Sequence, residues 1–420
     1  MKPPRNYYSA VRDNDRQWLK EIQRADILVG IPCYNNEETI AHVVSTAGQG
    51  LHQYFPKQRM VIFVSDGGSL DDTREEAHNA PIPERVNRRV TIYRGLPGKG
   101  TSLRAIFEVA GLLDVCACAV MDADLKSLTP EWIKCLIEPI WSGQAEFVAP
   151  YYRRHKFDAT ITNQLVYPLV RALYGLRLRQ PIGGDFGFSG RLARFYAQQD
   201  VWLTDVAHFG IDVWMTITAI NEGFTVVQAD LGVKRHNPKD PSTDLGPMFC
   251  QVISTLFYSM SDYEHHWREI QSSQPVRILL RSNHSELPDP VPVNLDKLRD
   301  ELVEGFNHFA PLYQQILDVA NFAQLTECVG SLRQKGVTHF PPQLWAKVVY
   351  DFAYTYQTWG RNRRRLVDLL VPLYFGRTAA YCEEVLHQDD EEADVVIESQ
   401  AETFEGVKPY LIKKFEMWES

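Results

Sequence analysis

The chain has 420 residues and a mass of 48.2 kDa, with 45% hydrophobic, 23% charged and 11% aromatic residues. Those proportions exclude a mainly disordered chain, a collagen-like repeat and a small disulfide scaffold, and the length implies more than one domain. With 44 basic against 53 acidic residues the formal charge is -9, so no broad basic face is offered to a nucleic acid and none is expected as a partner.

The N-terminal segment, residues 1–24, is polar and mixed in charge, without the apolar run of a signal peptide. Nowhere does an apolar stretch approach the roughly 20 residues of a membrane span, so a cytoplasmic protein with no membrane partner is expected. The seven cysteines are odd in number and form no CxxC pair. They read as small buried hydrophobes of a reducing compartment.

From Ala25 onward, short β-branched runs alternate with helical spacing. Residues 25–31 (ADILVGI), 59–65 (RMVIFVS), 89–94 and 115–121 read as strands, and 35–47 and 101–113 as helices. Ser69 has the look of a helix N-cap, with Asp71 and Asp72 in the first turn. This alternation predicts an α/β fold built on a mainly parallel sheet, whose ligands gather at the carboxyl ends of the strands. A strand at 145–150, a helix at 161–174 with Pro168 as a kink, and a close-approach turn in GGDFGFSG (183–190) continue the pattern. After a Pro-rich strap, SNHSELPDPVPV, apolar residues at Leu295, Leu298, Leu302, Phe306 and Phe309 begin a mostly helical C-terminal region, 290–420. Glu383–Glu398 holds eight carboxylates and no Lys or Arg, which predicts a solvated loop. The basic run at 361–365 reads as a solvated helix start.

The sharpest chemical signal is Asp122-Ala123-Asp124, where the apolar strand CACAVM ends. Two carboxylates at i and i+2 on a strand end repel unless a cation lies between them. A hard divalent ion, Mg2+ or Mn2+, prefers carboxylate and phosphate oxygens and leaves positions open for a diphosphate. Alone, such an acidic pair is an ordinary turn, but its company favours a ligand. Asp66-Gly67-Gly68-Ser69 lets backbone approach a flat base or ribose, and Pro32-Cys33-Tyr34-Asn35-Asn36-Glu37 puts an aromatic and amides beside it. Gly98-Lys99-Gly100 opens a helix, where free N–H groups and an ammonium converge on an anion. The GxxxxGK[ST] spacing is absent, which argues against an ATPase or kinase.

These segments, with FGID (209–212) and LGVKRHNP (231–238), resemble in order and spacing the GT-A nucleotide-sugar glycosyltransferases. More narrowly, they resemble the retaining family of glucosyl-3-phosphoglycerate and glucosylglycerate synthases, from about Ala25 to Met260. The resemblance implies a GT-A (Rossmann-like) catalytic domain at 25–270 that binds a nucleotide diphosphate sugar, and it leaves the helical region uncovered. It places Pro32, Tyr34 and Asn36 in the nucleoside pocket, the last where the family often has Glu. Asp66 and Gly67 then face the base, Gly67 standing for a serine. Asp122 and Ala123 run along the ribose and phosphates. Lys99 and Lys234 contact the diphosphate, Lys234 in place of a family arginine and without its bidentate fork. Asp124 and His236 are implied as metal ligands, Asp212 as the partner of the donor sugar hydroxyls, and Gly184 and Asp185 as neighbours of the acceptor.

The implied activity is metal-dependent, retaining transfer of a hexose, glucose favoured, with Asp212, Asp124 and Lys99 at the centre. The departing phosphate oxygen takes the acceptor proton, and Asp212 is the alternative nucleophile. In the phosphoglycerate enzymes an arginine and a threonine at the start of the helix resembling 161–174 hold the acceptor phosphate. Aligned through Pro168, these fall on Thr160 and Thr162. The missing guanidinium favours D-glycerate over 3-phosphoglycerate, unless Arg153, Arg154, His155 and Lys156 restore the charge. The helical region is expected to form a homodimer contact or to cap the acceptor site. A sugar-phosphate nucleotidylyltransferase is disfavoured, since PCYNNEE lacks its glycine-rich loop and basic pair. A non-catalytic binding protein is disfavoured by the retained acids and lysines, and nothing in two-carboxylate glycosidase chemistry calls for GKG beside a DxD.

Overall fold

The computed structural model describes residues 9–236, 246–282, 286–360 and 362–419. Residues 1–8, the stretch 237–245 shared by LGVKRHNP and DLGPM, part of the Pro-rich strap (283–285) and Arg361 of the basic run lie outside the described residues. The described residues hold ten strands: β1 (Ile27–Cys33), β2 (Met60–Asp66), β3 (Val86–Ile92), β4 (Ala117–Val120), β5 (Phe147–Arg153), β6 (Leu176–Arg177), β7 (Phe186–Ser189), β8 (Val226–Val233), β9 (Gln274–Pro275) and β10 (Ile278–Arg281). Eight of them form one sheet in the order β10-β8-β5-β7-β4-β1-β2-β3. Only β7 runs antiparallel to its neighbours. The expected mixed α/β fold with a large, mostly parallel sheet is therefore present, and so is the helical C-terminal region.

β1 and β2 are buried along their whole length, which is why they read as unbroken apolar runs rather than alternating ones. One sheet face packs on helices Ile40–Tyr54 and Pro130–Trp141 through Val43, Val44, Leu51, Trp132, Ile133 and Leu136. Helix Lys99–Leu112 takes the other face, where Ile106 lies against the backbone of Gly30 and Phe107 meets Phe188 edge-on.

Two strand-level features aim the chain at one end of this sheet. Because β7 is antiparallel, its first residue, Phe186, pairs with Val120, the last of β4. The turn at 183–185 is thereby delivered beside Asp122. On β8, the register against β5 shifts between Tyr151 and Tyr152, and the Asp230 carboxylate accepts the Gly232 N–H across the irregularity. Such a bulge re-aims the chain at the end of a strand, here just before Lys234.

The chain divides into two compact units that do not follow the linear boundaries at 25–270 and 290–420. The first comprises Met1–Arg153, Gln180–Asn237 and Val276–Pro288; the second comprises Arg154–Arg179, Pro238–Pro275 and Asp289–Ser420. Among the described residues, the regular structure of the second unit is helical except for the β6–β9 pair. Helices Leu295–Ile316, Val319–Lys335, Pro342–Thr358, Arg363–Asp368, Val371–Glu384 and Asp390–Glu419 fill its C-terminal part. Two excursions from the first unit's chain, 154–179 and 246–275, belong with them because their buried groups find partners there. Arg171, fully buried, ion-pairs with Glu398, Glu402 and Glu405. Arg179 pairs with Asp394. The acidic run expected as a solvated loop is thus largely helix. Glu398, Glu402 and Glu405 recur at helical spacing, and the cation they face comes from a distant part of the chain.

Pro168 does not simply kink its helix. A π-helix, Thr162–Val166, precedes the α-helix Tyr167–Tyr174. Pro168 has no N–H for the Gln164 carbonyl four residues back, and the indole N–H of Trp345 donates to that oxygen at 2.6 Å. All seven cysteines are free and five are buried. No helix among the described residues is long and apolar enough to cross a membrane.

The tightest backbone approach at the foot of helix Lys99–Leu112 is at Gly100, where a Cβ would stand 1.8 Å from the Val206 carbonyl oxygen. Gly100→Ala is expected to cost about 2 kcal/mol by overpacking. Gly330→Ala, where a Cβ meets nothing within 4 Å, is expected to gain about 0.5 kcal/mol. Denaturant melts of both variants check the pair.

Candidate active site

Two loops at the ends of β1 and β2 are stitched to each other by side-chain bonds. Asn35 N–H donates to Ser69 Oγ at 2.9 Å, Leu70 N–H to Asn35 Oδ1 at 3.0 Å, Asn36 N–H to Thr73 Oγ1 at 2.6 Å and Asp72 N–H to Glu37 at 3.0 Å. Asp66, wholly buried, accepts from the N–H groups of Gly68 (2.7 Å) and Ser69 (2.9 Å) and from the Ser69 hydroxyl (2.5 Å). It therefore builds the glycine turn rather than facing a ligand. Ser69 is not the helix N-cap expected from sequence: the helix starts at Thr73, and the Ser69 side chain is used across the two loops. Tyr34 is 57% exposed and its ring lies beside Gly67, giving a flat open face. Pro32 is buried within β1, and Asn36 Oδ1 is taken by the Tyr34 N–H.

The centre of the site is a chain of alternating charges. Lys99, at the first position of its helix, donates to Asp122 Oδ1 at 2.8 Å and to Asp212 Oδ2 at 3.0 Å. Asp122 Oδ2 accepts from Lys234 Nζ at 2.8 Å, and Lys234 also donates to Asp185 Oδ2 and to the Gly183 carbonyl, each at 2.8 Å. Asp185 accepts the Asp122 backbone N–H on Oδ1 (2.8 Å) and the Tyr152 hydroxyl on Oδ2. The Tyr152 ring centroid is 5.2 Å from the Lys234 ammonium. Asp212 Oδ1 is buried and has no hydrogen-bond partner among the described residues.

Burial would raise the Asp122 pKa, but the ammoniums of Lys234 and Lys99 overcome it and hold the carboxyl well below the ordinary range. Burial would likewise lower Lys99, yet Asp122 and Asp212 hold it well above the usual lysine value. Asp185 and Asp212 are raised, foremost by burial, against the pull of Lys234 and Lys99 respectively.

Several sequence expectations change on this geometry. Lys234 was expected on a diphosphate, but an ammonium has three N–H bonds and all three are used inside the protein. Asp185 was expected near an acceptor, but it is wholly buried and spends both oxygens on Lys234, Tyr152 and Asp122. Gly184, with φ +87°, passes so close to Asp122 that a Cβ would fall 2.0 Å from Oδ2, so it serves Asp122 directly. Thr160 and Thr162 belong to the second unit and are buried; Thr160 Oγ1 is 2.6 Å from the Tyr374 hydroxyl. Ala123 is buried, and its carbonyl accepts the Thr39 hydroxyl at 2.7 Å. Arg153, at the end of β5, is exposed. Tyr152 and the Gly183 carbonyl went unread: a tyrosine ending an apolar strand carries no signal until its partner is known.

Among the described residues no three or more His, Cys, Asp or Glu side chains gather as a metal-holding group. A two-ligand site is compatible with the geometry. Asp122 is withdrawn by its lysines, whereas the half-buried Asp124 makes no hydrogen bond or ion pair among the described residues. Lys126 N–H donates to the Arg235 carbonyl and Arg235 N–H to Ser127 Oγ, each at 2.9 Å. The backbone before His236 therefore runs beside the backbone after Asp124. Counting Asp122, Asp124, Asp185 and Asp212 against Lys99 and Lys234 leaves a formal excess of two negative charges, which one divalent cation balances. A groove also opens along the outer edge of β3, between Arg12, Asp15, Arg74, His78 and Arg89, and contains none of the expected site residues.

Residues 28–202 match Glycosyl transferase family 2, a span of less than half of the chain. No curated protein sequence matches the chain. Among solved structures, the chain is similar to glucosyl-3-phosphoglycerate synthase from Mycobacterium tuberculosis in complex with phosphoglyceric acid, at 24% identity over 57% of this chain and 83% of that one, with a TM-score of 0.46. The same enzyme in complex with Mg2+ and uridine-diphosphate matches at 25% identity over 57% and 82%, with a TM-score of 0.45. Its complex with Mn2+, uridine-diphosphate and glucosyl-3-phosphoglycerate matches at 25% identity over 57% and 83%, with a TM-score of 0.45.

Gly184→Ala is expected to force the turn off Asp122, at a cost of at least about 2 kcal/mol from the left-handed backbone and the disturbed ion pairs. A melt close to that of the unsubstituted protein would contradict the close approach.

Proposed function

We propose that the chain is a metal-dependent hexosyltransferase that moves a hexose, glucose favoured, from a nucleoside diphosphate sugar to D-glycerate, with retention at the anomeric carbon. What carries the reading is the largely buried Lys99–Asp122–Asp212 constellation. It sits in and just beyond the span that matches Glycosyl transferase family 2, beside an Asp124 carboxylate with no partner among the described residues.

In this reading Tyr34 and Gly67 offer their open face to the base, on a turn held by Asp66. Asn36 braces that loop, and Pro32 and Ala123 underlie it. Asp124 and His236 hold Mg2+ or Mn2+, imidazole being more comfortable on Mn2+. The bound cation supplies Lewis-acid neutralisation of the leaving diphosphate. Lys99 adds the protein's own positive charge, with its third N–H directed to a phosphate oxygen. Asp212 Oδ1, buried and without a partner among the described residues, accepts a hydrogen bond from a donor sugar hydroxyl, which removes the cost of leaving that oxygen unsatisfied. The bond from the anomeric carbon to the β-phosphate oxygen breaks, the acceptor oxygen bonds to the same face, and its proton passes to the leaving phosphate oxygen.

For the acceptor, charge decides. The position of the family's phosphate-binding arginine is Thr160, whose hydroxyl is engaged by Tyr374. Of the neighbouring basic residues, Arg154 pairs with Asp158, and Lys156 gives its ammonium to the carbonyls of Val385, Leu386 and Gln388. Arg153 remains to meet a carboxylate, which suits glycerate better than a phosphorylated acid.

The test is a donor-by-acceptor matrix with Mg2+ or Mn2+ and anomeric analysis of the product. D-glycerate is expected to outrun 3-phosphoglycerate and the product to be the α-anomer; preference for 3-phosphoglycerate would overturn the acceptor assignment. Asp124→Ala is expected to lower kcat by at least about 100-fold with its melting temperature preserved. Unchanged activity in that variant with the metal chelated would refute the metal role.

A further inference from the structure

The carboxylate that holds Lys99 is itself held from below. Asp122 Oδ2 and Asp185 Oδ2 share the Lys234 ammonium, and the Tyr152 hydroxyl donates to the same Asp185 oxygen. Tyr152 is 4% exposed, and its ring lies 5.5 Å from that of Trp132. These groups come from four elements: Tyr152 from β5, Asp185 from the turn before β7, Lys234 from the end of β8 and Asp122 from the end of β4. Such a buried network behaves as a unit, so the orientation of one member depends on all.

Resting on the function proposed above, we propose that Tyr152 and Lys234 are positioning residues. Through Asp185 and Asp122 they fix where the Lys99 ammonium stands against the leaving diphosphate, and neither touches substrate. Lys234 fits this place and an arginine does not. Its single nitrogen meets Asp122, Asp185 and the Gly183 carbonyl at 2.8 Å each, a three-point contact around one atom that a planar fork cannot reproduce. Tyr152 supplies the hydroxyl that keeps the Asp185 carboxylate turned toward Lys234 rather than along β4.

The test measures kcat and donor KM for Tyr152→Phe, Lys234→Arg and Lys99→Arg, and for Tyr152→Phe combined with Lys99→Arg. Tyr152→Phe keeps the ring packing and is expected to lower kcat about tenfold, with donor KM changed by less than about twofold. In the Lys99→Arg background the same change is expected to cost less than about twofold, because the ammonium it positions is gone. Lys234→Arg is expected to lose activity rather than gain it, although an arginine is the family's residue. Additive effects, a loss confined to KM, or full activity in Lys234→Arg would each overturn the proposal. A readout independent of turnover is the 15Nζ resonance of Lys99 in lysine-labelled protein. It should move in Tyr152→Phe, and an unchanged resonance would sink the inference. Absence of sugar transfer by the unsubstituted protein across the donor panel would instead remove the functional reading.

Discussion

A single carboxylate, Asp122, bridges two ammonium groups in a place where none of the three could stand alone. An isolated buried charge is too costly to keep, and removing one member of a buried pair costs about 3–5 kcal/mol because its partner is stranded. Lys99, Lys234, Asp185 and Asp212 are therefore mutually obligatory. The close turn at Gly183–Asp185, the antiparallel β7 that delivers it and the bulge on β8 all serve to bring those charges within 3.0 Å of one another. The arrangement also divides the DxD pair. Asp122 faces the two lysines, and Asp124 makes no hydrogen bond or ion pair among the described residues.

Topology explains why these residues come from such distant parts of the chain. In a parallel sheet every strand ends on the same side, so β1, β2, β4, β5 and β8 all release their loops there. β7 is the exception that helps: running the other way, it begins where its neighbour β4 ends, and the glycine turn before it lies against the acidic turn after β4. Helix Lys99–Leu112 contributes its first residue from the face of the same sheet.

The second unit obeys a different economy. Its helices are held by apolar packing and by buried arginines satisfied by carboxylates far away in sequence, such as Arg171 with Glu398 and Glu405, and Arg179 with Asp394. Two stretches that interrupt the first unit's chain supply part of this framework, and the family 2 match ends at residue 202. The second unit thus alternates with the first along the sequence rather than following it as one block.

The sequence by itself determined the strand–helix alternation, the parallel sheet and the segments that border the site, because periodicity, β-branched runs and glycine turns are local consequences of backbone sterics and burial. It also pointed to Lys99, Asp122 and Asp212. It could not decide which charges face a ligand and which face one another. Lys234 and Asp185 carry the same composition whether they meet a diphosphate or each other, and Asp66 reads as a ligand acceptor until its turn closes around it. Nor could it reveal that the acidic run near Glu398 folds onto Arg171. Those assignments depend on distances between residues separated by tens or hundreds of positions, and only the packed tertiary structure sets which partner arrives first to satisfy a buried charge.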